Sequence, residues 1–183
     1  MFLEILTRCM PGRENMRQRN RLSLIEQTDD DWSQTILFDD DCAGIPAAQV
    51  RLADYADKLV GDYIWILDDD DLCTRPSLVA ELKQITADHD YDVIIVKMDH
   101  GPRGILPYNS AWGREPRIGE IGSSGYIVSR QLWQDHADAF RGAHYCSDFD
   151  FIASVWNHAP SVYWHDVIAS QVQMIGRGQK ETA

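Results

Sequence analysis

Gly61-Asp-Tyr-Ile-Trp-Ile-Leu-Asp-Asp-Asp-Asp71 carries the sharpest change of texture in the chain. Its middle, Tyr63-Ile-Trp-Ile-Leu67, is a short run of β-branched, aromatic and aliphatic residues, too short for a helix and suited to a buried strand. Four aspartates follow without a break. Continued as a strand, the run aims Asp68 and Asp70 to one side, about 6–7 Å apart. Two carboxylates held at ~4 Å in an effective dielectric near 20 repel by about 4 kcal/mol, so such a cluster asks for a counter-charge. Hard divalent cations, Mg²⁺ or Mn²⁺, take oxygen ligands of this kind. The plainer reading is a solvated acidic turn capping the next helix, but Thr74 followed by Pro76 already offers that helix a cap and first turn.

Outward from this point, residues 2–7, 35–38 and 92–97 read as further buried strands, with helices over 13–28, 46–60 and 76–88 between them. In the second helix Val50, Leu52, Ala53, Ala56, Leu59 and Val60 follow one helix face. Strands alternating with helices predict an α/β domain, a mainly parallel sheet flanked by helices. Ligands of such sheets sit at the carboxyl ends of the strands, where both Asp39–Asp41 and Asp68–Asp71 fall. Residues 99–125, with six glycines and three prolines, read as a long, partly mobile loop. Beyond it we expect a strand at 126–129, helices at 131–140 and 148–157, and a last strand at 161–172. The organisation expected is one domain over 1–172, with halves at 1–98 and 99–172, then a flexible tail at 173–183.

Composition narrows the function classes. The 183 residues carry a net charge of −12, from 29 acidic against 17 basic residues. Neutralising phosphates takes Lys and Arg, so no extensive nucleic-acid-binding surface is expected. Hydrophobic residues at 44% exclude a disordered chain, and the longest apolar runs are far short of the ~20 residues of a membrane helix. The N-terminus lacks a charged leader and breaks its apolar stretch at Glu4, while Cys9, Cys42, Cys73 and Cys146 form no C-x-x-C pair. Together these predict reduced thiols in a cytoplasmic protein.

The order of the pieces resembles the family 2 glycosyltransferases of the GT-A fold. Gly61–Asp71 is similar to their G-[DE]-Y-I-x-x-L-D-x-D-D segment, Leu22-Ser-Leu-Ile-Glu-Gln-Thr28 to their L-x-S-[LI]-x-x-Q-[TS] helix end, and Ile36-Leu-Phe-Asp-Asp40 to the strand ending in the nucleoside-binding Asp pair. Ala47-Ala-Gln-Val-Arg51 lies where the family carries A-R-N, Ser123–Arg130 looks like the acceptor-side strand, and Ser147-Asp-Phe-Asp-Phe-Ile152 like the E-D-[YW]-[ED]-[LF] element. The resemblance implies a metal-dependent transferase that moves a sugar from a nucleoside-diphosphate sugar, a UDP-sugar by expectation, to an acceptor hydroxyl. By family position Thr7, Arg8, Asp39 and Arg51 would line the nucleotide pocket, with Asp68 and Asp69. Asp70 and Asp68 would hold Mn²⁺ or Mg²⁺ against the diphosphate. Asp148 would be the general base of an inverting displacement, with Asp150 the fallback.

Other candidates come from the residues themselves. His165 stands as a third metal ligand, Trp112 as a surface on which a sugar could stack, and Arg13, Arg17 and Arg21 as one helix face open to an anion or to solvent. Two rival readings of the aspartate run stand beside this one. A haloacid-dehalogenase-like phosphohydrolase would have Thr or Val two places after its second Asp, where Leu72 and Cys73 stand here. A non-enzymatic acidic module binding Ca²⁺ would show an EF-hand loop, and no such pattern occurs.

Overall fold

The computed structural model describes residues 1–142 and 144–173. Of the tail expected to be flexible, all but Gln173 lies outside the described residues. Chain order is β1 (Leu3–Cys9), α1 (Glu14–Ile25), β2 (Trp32–Phe38), α2 (Ile45–Tyr55), β3 (Tyr63–Ile66), β4 (Asp71–Cys73), α3 (Leu78–Ile85), β5 (Val93–Asp99), β6 (Ile105–Leu106), β7 (Tyr126–Ser129), α4 (Arg130–His136), α5 (Ser147–Trp156) and β8 (Val162–Val172). They build a single sheet in the order β2-β1-β3-β7-β5-β8-β4, with β6 on β5. β1, β2, β3, β5 and β8 run one way and β4, β6 and β7 the other, so the sheet is mostly parallel, as the alternation predicts. β7 lies between β3 and β5, so the two expected halves of the chain share one sheet and are not separate bodies.

Apolar side chains on the two faces of the strands make two cores. Leu6, Ile64, Ile66, Ile95 and Val128 pack under α2, α4 and α5 with Trp133, Phe140 and Phe151. Leu3, Ile5, Trp65, Ile94 and Ile127 pack under α1 and α3. Truncating one of these to Ala typically costs about 2–5 kcal/mol. Gly61 has a packing reason: a Cβ there would stand 2.6 Å from the Cβ of Glu4. Glu4 is itself buried, and it accepts from the N–H groups of Val60 and Gly61 and the hydroxyls of Thr35 and Tyr55. That carboxylate ties the entry to β3 onto β1.

Several boundaries differ from expectation for identifiable reasons. β2 starts at Trp32, three residues early, because its polar residues are satisfied inside the fold: Gln34 donates to Thr7 and Asn20, and Thr35 to Glu4. β4 was not expected at all, and it exists because the far end of β8 pairs with it, Asp71 opposite Val172. Thr74 does not cap α3. Its hydroxyl donates to the Ile168 carbonyl, and the helix starts at Leu78 behind Ser77. The glycine-rich stretch 99–125 is anchored at intervals by buried Leu106, Ala111, Ile121 and Ser124, with exposed residues between them. Among the described residues no helix is long and apolar enough to cross a membrane.

Candidate active site

The four aspartates do not continue β3. The N–H of Asp71 donates to the Asp68 carbonyl at 2.9 Å, closing a turn that leads straight into β4. The alternation read from the sequence survives as burial: Asp69 and Asp71 point inward, whereas the side chains of Asp68 and Asp70 keep 17% and 21% of their surface open. Polar side chains from distant elements hold the turn. Asn20 of α1, itself fully buried, donates its Nδ2 to the carbonyls of Asp68 and Asp71, both at 2.9 Å. Gln34 of β2 in turn donates to Asn20 Oδ1 at 2.7 Å. From the other side Gln173 donates its backbone N–H to Asp70 O and its Nε2 to Asp69 O, at 2.6 and 3.1 Å.

Two arginines face the carboxylates. Arg8, at the carboxyl end of β1, makes a two-pronged ion pair with Asp68, its Nε 2.6 Å from Oδ1 and its other nitrogen on Oδ2. Burial opposes the Arg8 charge, but Asp68 overrides it and holds the guanidinium's pKa above its usual value. Arg13 places Nη1 2.6 Å from Asp69 and 3.3 Å from Asp70. Burial, with Asp70 and Asp68 beside it, still pushes the Asp69 carboxyl up to about 6. Asp70 is raised by burial and by the nearby Asp68, and Asp71 rises well above the ordinary range through burial and the charges of Asp70 and Asp68, which the Ser124 hydroxyl only partly offsets. Two guanidinium charges leave four carboxylates under-neutralised.

Asp148 joins this group from the first turn of α5. Its carboxyl is raised by burial, with the charge of Arg8 opposing and that of Asp68 adding. Tyr126 of β7 donates its hydroxyl to the Asp148 carbonyl at 3.3 Å. Asp150, two residues on, turns to the surface and pairs with His144 at 2.6 Å. At the end of β2, Asp39 accepts from Arg51 at 2.7 Å and from the N–H groups of Ala43 and Gly44 at 3.1 and 3.2 Å. Its own N–H donates to the Cys9 carbonyl, so it lies beside the end of β1. Arg8, Asp39, Arg51, Asp68, Asp69, Asp70 and Asp148 thus gather at the carboxyl ends of β1, β2 and β3.

Three expectations are corrected. Thr7 does not line the cleft: it is fully buried beneath α1, where its hydroxyl accepts from Gln34, because strand alternation sends Thr7 and Arg8 to opposite faces. His165 is no partner of the aspartates. Its Nε2 lies 2.7 Å from Glu81 of α3, beside Arg75, seven residues along β8 from the Val172 that pairs with Asp71. Arg13 is no part of a solvated face, being buried on Asp69, while Arg17 and Arg21 lie over the rings of Phe38 and Trp32. Asn20, Gln34 and Gln173 were missed. Asn20 had a signal: it stands on the stripe Met16-Asn20-Leu24, a carboxamide where the helix spacing calls for an apolar side chain.

Asp68 and Asp70 are the carboxylates that a divalent cation would use here. Asp68 and Asp70 are hard oxygen donors sharing an open side with surplus negative charge, and Asp70 is the less engaged of the two. Among the described residues no group of three His, Cys, Asp or Glu side chains is placed to hold a metal ion. Cations such as Mg²⁺ commonly need only one or two carboxylates, completed by water and substrate phosphates.

The mostly parallel sheet with helices on both faces is a fold that this chain shares with solved structures. Among solved structures, that of residues 1–349 of TarS from Staphylococcus aureus superposes with a TM-score of 0.73 at 14% identity, over 94% of this chain and 60% of that one. Its complex with UDP-GlcNAc gives 0.70 at 13% identity, covering the whole of this chain and 62% of TarS 1–349. The CMP:2-keto-3-deoxy-manno-octonic acid synthetase complexed with CTP gives 0.55 at 14% identity, over 93% and 91%. The chain therefore spans about three fifths of the TarS fragment. No protein-family model matches the sequence, and no curated protein matches it.

Proposed function

We infer that this protein is a glycosyltransferase that uses a nucleoside-diphosphate sugar, with UDP as the nucleotide. The observation that carries the reading is the convergence of Arg8, Asp68, Asp70 and Asp148 at one mouth of a fold similar to TarS, whose structures include complexes with UDP and UDP-GlcNAc. Arg8 and Arg13 pre-place positive charge where a diphosphate leaving group would gather negative charge, and a charge already in position costs no reorganisation during reaction. Asp39, just past β2, and Arg51 of α2 would supply an acceptor and a donor for the nucleoside. Asp70 and Asp68 would hold Mn²⁺ or Mg²⁺, which when bound supplies counter-charge to the diphosphate oxygens.

Asp148 fits the general base. Burial and its carboxylate neighbour raise its proton affinity, which a base needs to take a proton from a hydroxyl. Attack of that hydroxyl on the anomeric carbon, opposite the departing diphosphate, inverts the configuration there. Calorimetric titration with UDP in the presence and absence of Mn²⁺ tests the reading. Binding that strengthens with the metal and weakens in Asp70→Asn supports it; a wild-type protein that ignores UDP under both conditions overturns it.

A further inference from the structure

A cavity of about 490 Å³ opens along β5 and β8, lined by Lys97, Ile105, Tyr108, Asn109, Asp166 and Ile168. Its volume is that of small-molecule sites, which run from about 300 to 1,000 Å³. The register relates it to Asp148. Ile95 of β5 pairs with Tyr126 of β7, the residue whose hydroxyl donates to the Asp148 carbonyl. Lys97 lies two residues past Ile95, so it projects from the same face, one strand away and nearer the strand's carboxyl end.

The walls are held by contacts that nothing in the donor site requires. Between the partners of Ile95 and Lys97, β8 advances from Trp164 to Ile168, four residues against two, and Asp166 sits in the extra length and pairs with Lys97. The Lys97 ammonium also lies 4.7 Å from the ring centre of Trp112. Trp112 is braced edge-on by Trp164 at 4.8 Å, and Trp164 by Trp156 at 5.9 Å. That bracing fixes the segment bearing Tyr108 and Asn109, with Tyr108 41% exposed at the mouth. It also uses up the Trp112 ring.

The lining is amphipathic in a particular way. Ile105, Ile168 and the Tyr108 ring offer apolar surface, while Lys97, Asp166 and Asn109 offer donors and acceptors. The two charges neutralise each other, so the cavity does not favour an anion or a cation but keeps polar groups to meet neutral hydroxyls. A sugar ring has that character, with an apolar C–H face and a hydroxyl rim. We propose that this cavity is a carbohydrate subsite that seats the acceptor and presents its hydroxyl to Asp148. Its role rests on the glycosyltransferase reading above; its existence as a sugar site does not.

The experiment is saturation-transfer NMR on the full chain with methyl β-glucoside, methyl β-galactoside and N-acetylglucosamine, beside UDP calorimetry on the same samples. At least one sugar gives ring-proton signals with the wild type. In Tyr108→Ala and Asp166→Asn, both at exposed positions, affinity falls by about tenfold, ~1.4 kcal/mol, while UDP affinity and the circular dichroism spectrum stay as in the wild type. Signals from none of the three sugars, or signals unchanged in both variants, overturn the subsite. Sugar binding without UDP binding keeps the subsite and removes the donor reading; UDP binding without sugar binding does the reverse.

Discussion

Two acidic groups in this molecule are each tied to arginine, and they respond in opposite ways. In the first, Asp68–Asp71 and Asp148 share Arg8 and Arg13, and the carboxyls of Asp69, Asp70, Asp71 and Asp148 are all raised. In the second, Glu81 of α3 stands alone among donors: Arg75 and Ser77 on one oxygen, His165 on the other. There burial is outweighed by hydrogen bonds, and Glu81 is lowered to about 2. The ratio of donors to carboxylates separates them. A satisfied acid is part of the scaffold, whereas carboxylates packed more densely than their counter-charges persist where the fold holds them for another partner. His165 belongs to the scaffold for this reason.

The sharpest way to break the contrast is Asp148→Asn. General-base catalysis contributes about 10²–10⁴-fold, so transfer from a UDP-sugar should fall by about that factor while UDP affinity, read by calorimetry, hardly moves. Asp150→Asn should leave transfer near wild type, since that side chain faces outward with His144. An inactive Asp150 variant would move the base by two positions.

Next in size is stability. Arg13→Ala leaves buried Asp69 without its main counter-charge, and breaking a buried pair from one side costs about 3–5 kcal/mol. Urea unfolding measures it. Asn20→Ala removes one hydrogen bond from each of two carbonyls of the Asp turn, Asp68 keeping that from the Asp71 N–H, at a total cost of about 1–3 kcal/mol. It should weaken UDP binding in Mn²⁺ besides, because the turn it loosens carries Asp68 and Asp70.

The two groups should also differ in the sign of their pH dependence. Glu81 has a folded pKa below its ordinary 4.5, so its contribution is complete above that pH and is lost as pH falls towards about 2. Asp69 has a folded pKa above its ordinary 3.8, so the folded state is favoured at low pH and loses that advantage as pH rises through about 6. Melting curves of nucleotide-free protein against pH check both. Glu81→Gln should flatten the profile on the acid side and Asp69→Asn flatten it between about pH 4 and 6. The smallest effect expected is Arg75→Ala, at most ~1 kcal/mol, because its pair with Glu81 is partly exposed and screened.

The sequence by itself determined the strand–helix alternation, the sheet's predominant direction and the placement of Asp39 and the Asp68–Asp71 run at strand ends. These follow from local periodicity: Tyr63–Leu67 is apolar throughout because both its faces are covered, and any chain so patterned buries it. Asp68 and Asp70 do lie more open than Asp69 and Asp71, but in a turn and not in the continued strand that the sequence pattern suggests. Tertiary structure alone decided the rest. β4 exists only because β8 returns to it, and His165 meets Glu81 from 84 residues away. The clamp on the aspartate turn draws on Asn20 of α1, Gln34 of β2 and Gln173 just past β8, which no local spacing connects to the turn. Hydrogen-bond partners of buried polar groups are chosen by how the chain closes, and that closure is a sum over the whole core which no local window contains.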